Sequence, residues 1–236
     1  MRKHLAVLHP DDWLAAQLRR PCYRLDFAGD PDGGLRDQVA SLPSERTFVY
    51  ARIPCAQTKD AVALQEAGFR VVDVNLNFVK APGTPVRRDV VIRNANSEDE
   101  EAVALIAGSA FQFSRFHLDP AFEQGEADGL KREWARNFFR GGRGDGLFVA
   151  VHAGQIAGFL LVIKVTGACV IDLIAVSKEF QGMGFGAAMI ACCEKSFEGV
   201  SKISTGTQAA NAASVRFYEG LGFRLREAQY ILHWHK

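Results

Sequence analysis

The chain has 236 residues, 48% hydrophobic and 23% charged, with a formal net charge of +1. These are the proportions of a folded globular protein of one large domain or two small ones, and the near-neutral balance disfavours general nucleic-acid binding. The apolar run around Leu160 to Ile163 is far too short to cross a bilayer, and Met1 to Leu5 lacks the apolar core of a signal peptide, so a cytoplasmic protein without membrane contacts is expected.

In the first 80 residues the clearest pattern is Ala63 to Arg70 followed by the apolar stretch Val71 to Val79, read as helix, glycine stop, aromatic and strand. Phe217 to Arg224 and the strand after it repeat that order, either as one duplicated unit or by chance. Residues 1–80 are therefore expected to be an α/β region serving as scaffold or as substrate wall, and no chemistry is assigned there. Two prolines and a glycine in Ala81-Pro82-Gly83-Thr84-Pro85 mark residues 81–87 as a linker, and residues 88–236 as a second domain.

That second segment opens with a strand at Val90 to Arg93. A capping box of Ser97 with Glu100 follows, then a helix with Val103, Leu105 and Ile106 on its apolar face. Asp128 to Phe139 reads as a helix that ends at Gly141-Gly142. Strands follow at Leu147 to Val151, Ile156 to Val165 and Ala168 to Val176. A glycine-rich bend then leads into a helix from Ala187 to Phe197, a strand at Ile203 to Thr207, a helix at Ala212 to Glu219 and a last strand at Gln229 to Trp234. The order predicts a mixed α/β (α+β) fold with a mostly antiparallel sheet flanked by helices.

The five cysteines, Cys22, Cys55, Cys169, Cys192 and Cys193, have no CxxC or Cys/His metal spacing. They read as reduced thiols, and no metal is expected.

Gln181-Gly182-Met183-Gly184-Phe185-Gly186-Ala187 lies between a strand and a helix. There, backbone N–H groups and the helix dipole favour a phosphate or pyrophosphate. The bend also fits G-x-G-x-x-A, but no acidic residue ends the next strand and only some 50 residues follow, too few to complete a dinucleotide-binding sheet.

Gln181-x-x-Gly184-x-Gly186, the strand ending Leu173-Ile174-Ala175-Val176, Asn211 to Tyr218 and Leu221-Gly222-Phe223 together resemble the GNAT superfamily of N-acetyltransferases. The resemblance covers about residues 88–236, and it makes the N-terminal region look like a degenerate half of the same fold. It implies acetyl-CoA as donor, with its pyrophosphate on the backbone of Gly182 to Ala187, its pantetheine arm along Ile174, Ala175 and Val176, and further contacts from Asn211 and Phe217. Asn211 is also placed as the N-cap of the helix from Ala212. Tyr218 matches the tyrosine that protonates the departing thiolate in many members, against a packing role beside Phe217. Asp172 is a tentative general base, or a strand carboxylate satisfied by a neighbour. The loop lacks the basic residue that many members carry near the phosphates, so Arg216 or Lys178 is expected to supply that charge.

The acceptor is expected near Phe111 to Pro120 and the next helix. This stretch, with the W-x-x-N spacing of Trp134 and Asn137, resembles the TDP-fucosamine acetyltransferases. Arg115 would pair with a sugar-nucleotide phosphate, and His117 or Asp119 would orient the amine; the alternative is a well-packed loop. The implied function is acetyl transfer to the primary amine of a small molecule, a nucleotide-linked amino sugar. Acetylation of protein N-termini or lysines and a non-catalytic acyl-CoA sensor are the other readings. A homodimer is a further expectation, from the exposed edge of the last strand.

Overall fold

The computed structural model describes residues 6–27, 34–43, 46–84, 90–197 and 199–236. Ten strands form one sheet in the order β1-β2-β3-β10-β4-β9-β8-β7-β6-β5. The N-terminal region contributes β1 (Ala6–Pro10), α1 (Asp12–Leu18), β2 (Cys22–Phe27), α2 (Leu35–Ala40), β3 (Phe48–Pro54), α3 (Thr58–Glu66) and β4 (Arg70–Lys80). Then come β5 (Val91–Asn94), α4 (Glu100–Ala110), α5 (Gln124–Phe139), β6 (Gly146–His152), β7 (Gln155–Val165) and β8 (Ala168–Val176). The chain ends with α6 (Phe185–Ser196), β9 (Lys202–Gln208), α7 (Ala212–Gly220) and β10 (Arg224–His235). Pairing is antiparallel except for β2 with β3 and β8 with β9.

The sequence echo is a structural duplication. β3, α3 and β4 begin at Phe48, Thr58 and Arg70, and β9, α7 and β10 begin at Lys202, Ala212 and Arg224, one constant spacing throughout. The units exchange their last strands: β4 lies between β9 and β10, and β10 lies between β3 and β4. The expected boundary thus does not divide the sheet, because a strand from the first 80 residues fills a place inside the second half. Nor does the connector hang free over its described part. Glu194 of α6 accepts hydrogen bonds from the Gly83 and Thr84 backbone N–H groups at 2.7 and 2.6 Å and meets Lys80 Nζ at 3.1 Å. Residues 85–87 lie outside the described residues.

Alternation along the strands separates two faces. On one, α6 and α7 cover Phe78, Ile171, Ile203, Tyr218 and Phe223, and α2 and α3 cover Val49, Ala51 and Ile53. On the other, α4 and α5 cover Val149, Phe159 and Leu173, and α1 with the loop after α4 covers Phe48 and Tyr50.

Two local expectations shift. The capping box is made by Asn96 and Asp99 rather than Ser97 and Glu100, since a short 3-10 turn at Ser97–Asp99 precedes α4 and Asp99 is also fixed by Arg93. Leu105 is 56% exposed, whereas Val103 and Ile106 are buried, because only one stripe of α4 meets the sheet. The described cysteines are free, and Cys169 and Cys193 form a thiol hydrogen bond at 3.7 Å.

Candidate functional site

Pairing between β8 and β9 runs from Ala168↔Lys202 to Ile171↔Thr205 and stops there, although both strands continue. On its other side β8 stays paired to β7 as far as Val176↔Gly158. The segment Asp172–Val176 therefore turns an edge without a strand partner into the opening, and that segment contains Ile174, Ala175 and Val176. Where the strands part, the register shifts: Leu173 opposes Leu161 and Ile171 opposes Val162, leaving Asp172 as the extra residue of a β-bulge. Extended ligand backbone fits such an edge, and the bulge re-aims the N–H groups beside it.

The glycine bend follows at the open end. Gly182 and Gly184 have φ of 81° and 84°, a left-handed backbone that disfavours a side chain. Gly184 is the N-cap of α6 and makes no side-chain cap bond, and the first turn holds no acidic residue. The N–H groups at Phe185, Gly186 and Ala187 thus begin a 12-residue helix with an anion-ready end. Gly186 is glycine for another reason: a Cβ there would stand 3.0 Å from the Phe217 ring, so its absence lets α7 approach α6. Gln181 closes the end of β8 by donating from Nε2 to the Val176 carbonyl at 3.1 Å. The Phe185 side chain is buried in the core, and Met183 is 42% exposed. Lys178 and Arg216 are both exposed.

Asn211 caps α7, its Oδ1 accepting from Ser214 N at 3.1 Å. Two turns further on, Tyr218 is 3% exposed and packs against Phe78, Phe217 and Phe223. The hydroxyl of Thr205, the last β9 residue paired to β8, acts on the phenol and partly offsets the effect of burial on its pKa, which puts the phenol near the place where the strands diverge. Burial raises the Tyr218 pKa above the ordinary tyrosine value and keeps the phenol protonated.

Asp172 sits at the same divergence with its carboxylate toward α5. Arg143 donates to both oxygens at 2.6 Å, and Trp134 Nε1 donates to Oδ2 at 2.9 Å. Such a carboxylate is an anchor for two side chains. Above it, Lys131 is 9% exposed, its Nζ 4.8 and 4.7 Å from the Phe111 and Trp134 ring centroids. Arg115 stacks 3.8 Å over the Tyr50 ring, and the Tyr50 hydroxyl donates to Asp11.

Of the residues expected at the acceptor, the structure brings Arg115 and Trp134 close to Lys131 and the tentative base Asp172, and gives the others separate work. His117 bridges Ser114 and Asp128 at 2.6 and 3.0 Å and is buried in its loop. Asp119 is buried, and its Oδ2 takes both His233 Nδ1 and His235 Nε2, at 2.7 and 2.8 Å. These three groups lie within 4.8 Å of one another, a spacing suited to a metal, and here they join the loop to the end of β10 by hydrogen bonds. Burial outweighs the Asp119 hydrogen bond and pushes the His233 pKa down to about 4, leaving it neutral. Asn137 packs against Gly142 in the turn that ends α5. A groove of about 440 Å³ beside the divergence is lined by Asn77, Ser204, Thr205 and Gly206.

Lys131, Arg143, Tyr50 and Arg52, the last acting electrostatically on Lys131 and Arg115, are missed by sequence reasoning. One signal was present: Lys131 occupies the same α5 stripe as Ala127, Leu130 and Trp134, where a charge is out of place. For Tyr50 and Arg52 there was none, since their approach depends on the strand exchange.

A model described as the acetyltransferase (GNAT) family matches residues 100–223. The spore coat polysaccharide biosynthesis protein SpsD of Bacillus subtilis is 31% identical over 194 residues, 80% of this chain and 67% of that protein. Solved structures share the fold. A conserved protein of unknown function from Staphylococcus epidermidis has a TM-score of 0.67 at 17% identity, over 90% of this chain and 84% of its own. A GCN5-related N-acetyltransferase from Sphaerobacter thermophilus has 0.61 at 15%, over 98% and 76%. A tandem GNAT protein from the clavulanic acid biosynthesis pathway has 0.55 at 17%, over 92% and 75%.

Proposed function

The chain belongs to the GNAT acetyltransferase family, and from that premise we propose that it transfers an acetyl group from acetyl-CoA to the primary amine of a small molecule, a nucleotide-linked amino sugar. The observation that carries the acyl-transfer reading is the parting of β8 from β9 at Asp172, with the uncapped end of α6 at the open side and Tyr218 at the closed side.

The residues fit the donor. The bend at Gly182 and Gly184 leaves helix N–H groups for a pyrophosphate, and the edge Ile174–Val176 has the free backbone that an amide-bearing arm pairs with. When bound, acetyl-CoA supplies a thioester carbonyl as the electrophile. The bulge at Asp172 would offer backbone N–H groups to that carbonyl, to stabilise negative charge developing on its oxygen. Burial keeps the proton on the Tyr218 phenol oxygen through the neutral range, from where it would be available to the departing thiolate. Asp172 acts by holding Trp134 and Arg143, which wall the acceptor side. The amine loses its proton to water rather than to Asp172, whose two oxygens are taken by Arg143 and Trp134.

The amino-sugar acceptor is supported by the SpsD relative, whose name places it in polysaccharide biosynthesis, and by the aromatic and cationic lining of the α5 face. The test is a mass-resolved assay of acetyl-CoA with a nucleotide-linked 4-amino-4,6-dideoxy sugar and, in parallel, amino-terminal and lysine peptides. Acetylated sugar nucleotide is expected. Turnover on peptides alone rejects the sugar, and absence of calorimetric CoA binding rejects the enzyme.

A further inference from the structure

Burying a charge is costly unless an opposite charge meets it. On the α5 face four cations converge and two carboxylates answer them. Arg115 from the loop after α4, Arg143 from the turn after α5 and Arg52 from β3 all act electrostatically on Lys131 of α5, and Arg52 also acts on Arg115. Asp172 is committed to Arg143 and Trp134, and Asp11 to the Tyr50 hydroxyl and the Leu14 N–H.

Lys131 is left over. It is nine-tenths buried, and among the described residues no hydrogen bond or carboxylate within ion-pair distance reaches its Nζ. Arg115 has a buried Nη1 without a hydrogen-bond partner. Burial opposes both charges, pulling the Lys131 pKa down to about 8 and that of Arg115 to about 10. Both still carry charge at neutral pH. The aromatic rings of Tyr50, Phe111 and Trp134 hold these cations in place without neutralising them.

We infer that Lys131, Arg115 and Arg52 form an anion subsite for a phosphate group of the acceptor, distinct from the CoA phosphate nest at α6. The subsite borders Asp172 at the β8–β9 divergence, so an amine one sugar ring away from a phosphate reaches the opening from the face opposite α6 and α7. The placement rests on the acyl-transfer reading, whereas the binding itself does not. Arg52 joins from the first 80 residues, which therefore supply part of the acceptor wall as well as a strand.

The experiment is calorimetric titration of the full chain with thymidine diphosphate, inorganic pyrophosphate, thymidine and glutamate, each with and without saturating CoA. Thymidine diphosphate and pyrophosphate are expected to bind whether or not CoA is present, and thymidine and glutamate are not. Lys131→Met should weaken both phosphate ligands about tenfold or more, as loss of a charged hydrogen bond does. Arg52→Gln, at an exposed position that does not threaten the fold, should weaken them to a lesser degree. Displacement of the diphosphate by CoA, equal affinity in both variants, or tighter binding of glutamate would each overturn the subsite. Lost diphosphate binding with CoA binding and turnover intact removes the subsite and leaves acyl transfer standing. Diphosphate binding without CoA binding upholds the subsite and removes the enzyme assignment.

Discussion

Asn75 and Gln229 face each other in the β4–β10 pair, each the sixth residue of its own strand. Equivalent positions of two repeated units can pair with each other only near an approximate twofold axis. The rest of the register obeys it: Arg70 opposes His233 and Val79 opposes Arg224. The exchange of strands across this axis makes the halves interdependent.

Residues 88–236 expressed alone should therefore not fold as a domain. Without β4, both β9 and β10 lose a strand partner, and Phe78 leaves the core beside Tyr218. Circular dichroism and thermal melting should show no cooperative transition. A sharp melt and intact CoA binding would mean that the second half does not need the exchanged strand.

Tyr218→Phe should lower turnover by about a hundredfold or more with little change in CoA affinity, the usual range for removal of a general acid. The raised pKa of Tyr218 also predicts that kcat shows no basic limb from this group below about pH 10. Wild-type turnover in the variant would assign Tyr218 to packing alone.

Gly184→Ala should destabilise the chain by about 1–2 kcal/mol, the cost of a side chain in the left-handed region, and weaken CoA binding through the distorted bend. Gly186→Val should act by a different route, by pushing Phe217 and α7 away from α6. Equal effects of the two on CoA affinity at unchanged stability would contradict that division.

Asp73 and Glu194 should give opposite pH dependences. Asp73 is 7% exposed with Oδ2 unpartnered, and burial raises its pKa to about 6. The stability it contributes is greatest below the unfolded value near 3.8 and is lost as pH rises through about 6. Asp73→Asn should therefore stabilise the chain by on the order of 2 kcal/mol at pH 7–8, with the difference gone below about pH 4. The Glu194 pKa is depressed by hydrogen bonds from Gly83, Thr84 and Lys80, so its contribution is complete above about pH 4.5 and falls on acidification. Glu194→Ala should cost about 3–5 kcal/mol at neutral pH by stranding Lys80. Denaturant melts across pH would check both signs.

Sequence by itself determined what depends on near neighbours in the chain. The strands and helices from Val90 onward, the glycine bend, the cap at Asn211 and the Tyr218 position are set by periodicity, backbone freedom and short motifs, and they carry the family. Its limits appear where distant segments meet. The echo of residues 63–79 was visible, but not that β4 crosses into the other half, because strand pairing is a choice among partners far apart in sequence. The bulge at Asp172 depends on the register against β7. His117, Asp119 and Arg115 are alike as sequence, polar residues in one loop. Only packing divided them, since Asp128, His233 and His235 arrived to satisfy the first two and nothing in the described chain arrived for Arg115 Nη1.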